Sequence, residues 1–331
     1  MLLSACTTFA LDDMTNKEKY KNLCLTEESI PIYSRDWWLD TVCGESLWEV
    51  LLYENGGVIE AAMPIYLPTK GVIAMPPYAQ TMGIWFNPQQ ENDRYSKELL
   101  RKQQICTSFL EGELSGYRCF SQNFHHTFTD WLPFYWKGYK QTTRYTYILS
   151  QISDTESVWA NFSKDFKKSI SKAREKYKLT VKRNIPVDDF LNINTKTYQR
   201  QGKETYHQEV LGQLVNECRR RGQGDIWGAY DEQGRLHVAV FIAWQSDYAY
   251  VMASGGDPML RSSGAKSLIM WEAILFLSTI TKALDFEGSM VELIGFYNRK
   301  FNAVQVPYFS ISKGRLTLLD RALIKLKRKK G

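Results

Sequence analysis

The sequence predicts a mixed α/β fold built from two similar units, and three observations carry that expectation. Residues 48–77, WEVLLYENGGVIEAAMPIYLPTKGVIAMPP, read as strand, tight turn, strand, tight turn, strand. Residues 226–256, IWGAYDEQGRLHVAVFIAWQSDYAYVMASGG, read the same way. Tyr53 and Gly57 recur 177 residues later as Tyr230 and Gly234. Each meander is followed by a Gly- or Pro-containing loop and then a helical segment, as expected of one supersecondary unit used twice.

Bulk composition fits a chain with a large core. Of 331 residues 44% are hydrophobic and 24% charged, and the formal net charge is +6. A moderate positive charge suits an anionic ligand without demanding nucleic acid. The six cysteines are scattered without a C-x-x-C pair, which predicts reduced thiols and a cytoplasmic setting. The four histidines show no metal-binding spacing, so no metal is expected. No apolar run approaches the roughly 20 residues of a membrane span. Leu3-Ser4-Ala5-Cys6 resembles a lipoprotein cleavage box, but only Met1 and Leu2 precede it. Met14 is therefore expected as the natural start, with residues 1–13 a non-native or disordered extension.

The hairpin turns are Glu54-Asn55-Gly56-Gly57 and Asp231-Glu232-Gln233-Gly234. Arg144-Tyr145-Thr146-Tyr147-Ile148-Leu149-Ser150 reads as a strand closing the first unit, so the units are expected at 14–150 and 151–331. After it, Phe162, Phe166, Ile170, Ala173 and Tyr177 recur at helical spacing, with Ser163 placed to cap the helix. Lys164, Lys167, Lys168, Lys172, Arg174 and Lys176 cover the rest of this basic stretch, 163–183. It reads either as a solvated face or as a platform for a polyanion such as tRNA.

Arg261-Ser262-Ser263-Gly264-Ala265-Lys266-Ser267 joins the apolar strand YAYVMASGG to the helical segment AKSLIMWEAILFLS. A strand–Gly turn–helix junction offers free N–H groups and a positive dipole end, which suits phosphate. Lys266 opposes that dipole unless an anion sits on the turn. Downstream, Asp285 and Glu287 alternate on an expected strand, so both carboxylates face one side and one of them suits a general base. The aromatic-rich segment FHHTFTDWLPFYWKGYKQ reads as an interface core or as the wall of an acceptor cleft. Its polar and amphipathic candidates are Gln122, Asn123, His125, Trp131, Trp136, Tyr139 and Arg144, joined by Ser289 at the end of the acidic strand. The tail at 315–331 carries Leu316, Leu319, Leu323 and Leu326 before a basic end. It reads as a docked helix or as a peripheral membrane contact.

These segments, in this order, resemble the GNAT acyltransferase superfamily, in its tandem-module FemABX-like branch. Arg261–Ala265 resembles the donor loop, LDFEGSM the strand after the donor helix, and FYNRKFNAVQVPYFSI the motif near its end. KDFKKSISKARE resembles the basic helix opening the second module, and QNFHHTFTDWLPFYWKGYKQTTRYTY resembles part of the first. Two departures stand out: Lys266 where a small residue is usual, and Asn302 where the branch often has glycine. The resemblance implies two tandem modules, each a mostly antiparallel sheet flanked by helices. It implies N-acyl transfer from acyl-CoA or aminoacyl-tRNA, used as co-substrate with no tightly bound cofactor. The acceptor would be an amine on a small molecule or a lipid-linked envelope precursor, met in the cytoplasm or at the inner membrane surface. Tyr297 would serve as acid for the leaving group, and Met252 and Ser254 would align the donor beside Arg261, Ser263, Gly264, Ala265, Lys266 and Ser267. The competing expectation is a non-catalytic binding protein that kept the fold.

Overall fold

The structure, a computed structural model, describes residues 14–202, 204–205, 207–288 and 290–330, with side chains as far as residue 324. The extension expected at 1–13 lies outside the described residues.

The chain divides into two compact units. One comprises residues up to Thr143 together with Tyr308–Lys330, and the other is Arg144–Pro307. This differs from the division expected at 150/151 in two ways. The boundary falls inside a long strand, β6 in chain order (Lys140–Ser150), and the end of the chain returns to the first unit. The return has a physical cause: Ser310–Lys313 pairs antiparallel with Phe120–Asn123, and Ile311 is fully buried in the first unit's core.

In the first unit, the strands are β1 (Trp48–Asn55), β2 (Val58–Thr69), β3 (Val72–Ala74), β4 (Trp85–Phe86) and β5 (Cys119–Asn123). The expected meander is present, with β1, β2 and β3 joined antiparallel. β5 joins β3 in parallel, and β4 pairs with β2. Helices α1 (Asn16–Thr26), α2 (Asp36–Cys43), α3 (Tyr95–Glu111) and α4 (Leu132–Trp136) flank this sheet. A capping box between Thr15 and Glu18 starts α1. Phe109 of α3 and Phe134 of α4 share a core with Phe120 of β5 and with Phe124, which follows that strand.

In the second unit, β7 (Thr180–Arg183), β8 (Gly224–Tyr230), β9 (Leu236–Trp244) and β10 (Tyr248–Gly256) form an antiparallel run. β11 (Ala283–Asp285) pairs in parallel with Tyr248–Tyr250 and antiparallel with Ile148–Ser150 of β6. Strand β12 (Val304–Lys313) begins in this unit and continues as part of the first from Tyr308. The helices are α5 (Thr155–Asn161), α6 (Lys164–Ser171), α7 (Val187–Arg200), α8 (Gln208–Arg220), α9 (Ala265–Leu277) and α10 (Glu292–Asn298); α11 (Leu318–Lys330) belongs to the first unit. Alternation along β9 packs both sheet faces: Val240 and Ile242 meet the α9 core, while Phe241 stacks edge-on against Phe190 of α7. The basic stretch is not one helix. Ser163 caps α6 as expected, but residues 172–176 form a π-helical turn and 180–183 a strand. The apolar stripe explains the turn, since Phe166, Ile170 and Ala173 all stay in the core across it.

Candidate active site

A cavity of about 360 Å³ opens in the second unit where β10, the Arg261–Ser267 loop and the first turn of α9 meet. Lys172, Arg200, Arg261, Lys266 and Lys300 line it, and among the described residues no carboxylate does. Their joint field favours a multiply charged anion. The first turn of α9 points the positive end of its dipole at this wall, although Ala265 N already lies 3.4 Å from Ser263 Oγ and Ser267 N donates to Gly264 O at 3.0 Å.

Gly264 makes the turn possible. Its φ is +79°, in the left-handed region, and a Cβ there would lie 2.3 Å from the Ser169 carbonyl oxygen. Glycine is therefore required first by the packing of the loop on α6. Ser263 is buried and its Oγ accepts from Ala265 N at 3.4 Å, while Ser262 and Arg261 are exposed. Tyr177 reaches the loop through a 3.0 Å contact between its hydroxyl and Ser262 Oγ.

The end of β10 is arranged differently from expectation. The register slips between Val251 and Ala253, leaving Met252 as a bulge, and pairing with β11 covers only 248–250. Beyond that point α7 takes over some of the backbone groups. Asn194 Nδ2 donates to Ser254 O at 3.0 Å, and Gly256 N donates to Thr197 Oγ1 at 2.8 Å. A Cβ on Gly255 would meet Asn194 N at 2.4 Å, so glycine is what lets α7 come this close. The Ser254 carbonyl is thus occupied, and it is Ser254 Oγ that faces the cavity, 3.5 Å from Lys266 Nζ.

Lys266 is half-buried, and burial pushes its ammonium down to about 8. Its Nζ also lies 4.9 Å from the centre of the Tyr297 ring. The Tyr297 hydroxyl is buried and makes no hydrogen bond. Burial pushes that phenol up, and the Ser267 hydroxyl opposes the shift without meeting hydrogen-bond geometry. A protonated phenol without a partner, on the wall of a cationic cavity, is equipped to donate a proton.

Asp285 and Glu287 do not share a strand face. β11 ends at Asp285, and Glu287 adopts φ 50°. Asp285 causes the bend: its carboxylate accepts from Glu287 N at 2.8 Å and from the Thr146 hydroxyl. Burial raises Asp285 to about 6 against the pull of those two donors, and it raises Glu287 to about 8. Neither carboxylate is part of the cavity wall. Asn298, which follows Tyr297 on α10, donates to the Glu287 carbonyl at 3.4 Å and ties that bend to the helix.

The residues suggested for an acceptor cleft do not converge within the first unit. Gln122 is fully buried and donates to Pro64 O at 2.8 Å, and Tyr139 packs in the core against Phe120 and Phe134. Asn123 donates to Gln80 O, and His125 Nδ1 contacts Thr127 Oγ1 at 2.8 Å, with burial pushing the imidazole down to about 3. Trp131 is half-buried, Trp136 is exposed, Arg144 is half-buried in the second unit, and Ser289 lies outside the described residues. A dense aromatic run marks a core here because Phe120, Phe124 and Phe134 need one another as packing partners. Arg200, Thr197 and Lys300 of the cavity wall escaped the sequence reading. Thr197 and Arg200 come from the last turn of α7 and Lys300 from the turn after α10, and no local pattern unites the two segments.

Residues 160–279 match the family model for the acetyltransferase (GNAT) domain. No curated protein matches the chain. Among solved structures it is similar to FemX, with TM-score 0.65 and 9% identity over 95% of this chain and 98% of that one. It is also similar to a conserved protein of unknown function from Bacteroides thetaiotaomicron (TM-score 0.54, 11% identity, 92% and 98% covered). A third match is the C-terminal domain of a protein assigned as a lysylphosphatidylglycerol synthetase from Agrobacterium fabrum (TM-score 0.54, 10% identity, 95% of each chain). Residues 160–279 therefore match an acetyltransferase (GNAT) domain, and the chain as a whole has a fold similar to that of FemX.

Proposed function

We propose that this acyltransferase moves an acyl or aminoacyl group from a phosphate-bearing donor, an acyl-CoA or an aminoacyl-tRNA, onto an amine of a cell-envelope precursor. The observation that carries the donor class is the cavity wall: five cations, a helix start and no carboxylate among the described residues. Phosphate groups are the common feature of both donors, and Lys266 adds a flexible point charge beside the helix start. Lys164, Lys168 and Lys176 are exposed outside the cavity and add positive charge of the kind that a tRNA backbone attracts. The tail, 315–331, is a candidate membrane contact: Leu318 and Leu319 are exposed, while Asp320 anchors the helix through Arg118. Among the described residues no helix is long and apolar enough to cross a membrane.

The transfer forms an amide and breaks the donor's thioester or ester. Glu287 lies off the cavity wall, so it takes the proton that the attacking amine loses through a bridging water. Its carboxyl sits at about 8, so the carboxylate that accepts this proton becomes the majority form only above that pH, and turnover should rise with pH towards it. Tyr297 gives its proton to the departing sulfur or oxygen. Asp285 acts as a positioning residue, holding Glu287 N and fixing the bend. The resemblance of lysylphosphatidylglycerol synthetase at the level of fold supports envelope amines or lipids as acceptors.

Calorimetric titration with acetyl-CoA, free CoA and aminoacyl-tRNA tests the donor. Saturable binding of one of them, lost in the Arg200→Ala/Lys300→Ala double variant, is the expected result. Failure of all three to bind sinks the donor assignment. Glu287→Gln is expected to lower turnover about 100-fold or more with donor affinity little changed. Equal loss in both would make Glu287 a binding residue.

A further inference from the structure

Residues 290–296 form an apolar lip whose solvent exposure is out of keeping with the rest of the unit. Met290, Val291, Leu293, Ile294 and Phe296 are exposed by 50, 54, 79, 40 and 50% respectively. Isolated exposed apolar residues are ordinary, but five within seven positions are not. The lip adjoins the cationic cavity, since Tyr297 and Lys300 follow it directly and line that cavity. Cations surround it. Arg299 lies over the Phe296 ring at 4.5 Å, and the Ser163 N to Lys300 O hydrogen bond of 2.9 Å brings α6, with exposed Lys164 and Lys168, alongside. Against these four cations stand Glu292 and Asp165.

We propose that this lip docks the protein on the surface of an anionic lipid bilayer. Leu293, Phe296 and Val291 would enter the headgroup region while Arg299, Lys300, Lys164 and Lys168 meet lipid phosphates. A second copy of the chain is the poorer occupant. The patch amounts to a few hundred Å², below the roughly 800 Å² per partner that a stable dimer buries. Two cationic rims facing each other would also repel. Docked in this way, Tyr297 and the cavity mouth face an amine presented at the membrane surface. The inference rests on the acyltransferase reading only for that last step, and vesicle binding is read without catalysis, so the two fail separately.

The full chain is sedimented with vesicles of phosphatidylcholine alone or mixed with phosphatidylglycerol. Binding to the mixed vesicles, weakened by added salt, is the expected result, with a Leu293→Asp/Phe296→Asp variant binding at least tenfold less. An unchanged melting temperature shows that this variant is folded, because both side chains are exposed. Leu318→Asp/Leu319→Asp in the tail serves as the parallel variant. The proposal is overturned if the wild-type chain ignores anionic vesicles, if the lip variant binds as well as wild type while the tail variant does not, or if both vesicle types bind equally. It is also overturned if the wild-type chain is a dimer that the lip variant converts to monomer.

Discussion

Both units have a meander, and a cavity in one differs in character from a cavity in the other. The second unit's cavity is walled by five cations and by β10, α7 and α9 backbone brought together at Gly255, Gly256 and Gly264. The first unit's, about 450 Å³, is walled by Phe86, Phe128, Tyr95 and Leu132 with Glu98, Lys102 and Asp130. There Lys102 is engaged by Glu91 and Glu98, both at 3.2 Å, so no net positive field is left for a phosphate. A shared strand plan therefore says little about chemistry, which depends on what lines the opening.

The largest expected effect isolates the donor turn. Gly264 and Gly57 have the same φ, +79°, but a Cβ at Gly57 meets nothing within 4 Å. Gly57→Ala in the first unit's hairpin is expected to cost about 1 kcal/mol from backbone strain alone. Gly264→Ala adds the collision with the Ser169 carbonyl and is expected to cost about 2–4 kcal/mol in all. Chemical denaturation of both variants measures the difference. Equal losses would mean that α6 yields freely and that the turn is not held by Ser169.

This contrast shows what was legible from sequence. The meanders were, because alternation and Gly-bearing turns are local. The site was only partly so. Gly264 and Lys266 lie on one local segment, the loop at 261–267, and Tyr297 on another, 296–311, and each is legible from its own stretch. Lys172, Thr197, Arg200 and Lys300 reach the same cavity from elements that only tertiary packing brings together. The Glu287 bend was missed because it follows from a side chain, Asp285, capturing a backbone N–H two residues ahead. Reading Asp285 and Glu287 as a strand pair ignored that competition.

Two glutamates sharpen the comparison through pH. Arg101 pulls Glu98 in the first unit down to about 2, while burial pushes Glu287 in the second up to about 8. An unfolded glutamate titrates near about 4.3. Glu98 therefore stabilises the fold above that value and loses its contribution as pH falls through about 2. Glu287 favours folding while it is protonated, and stability falls as pH rises from the unfolded value through about 8. Glu98→Gln is thus expected to lower the melting temperature at pH 7, and Glu287→Gln to raise it, increasingly up to pH 8. Melting curves from pH 4 to 9 check the signs. A stabilised Glu98→Gln or a destabilised Glu287→Gln would reverse the assignment.

Smaller effects follow from single cations. Lys172→Ala, Arg200→Ala and Lys300→Ala are each expected to weaken donor binding about 3–10-fold at low salt, with the deficit shrinking as salt screens the wall. Lys102→Ala, in the cavity of the first unit, is expected to leave donor affinity unchanged. If Lys102→Ala weakens binding as much, the donor is not read by the second cavity alone.

Lys266 should give the smallest and most specific signal. Its ammonium sits near 8 because burial disfavours the charge, and Ser254 Oγ, at 3.5 Å, is a weak acceptor. A bound phosphate would favour the charged form, so donor and proton bind together. Donor affinity should then fall as pH rises past about 8, by roughly threefold per half unit at most, and Lys266→Ala should remove that step while leaving affinity at high pH nearly unchanged. Lys266→Arg keeps its charge at every pH and should bind with no step at all. Calorimetry between pH 6.5 and 9.5 distinguishes the cases. A step that survives in Lys266→Ala would belong to another group, and Lys266 would then be a bystander that the loop tolerates by lying across the Tyr297 ring.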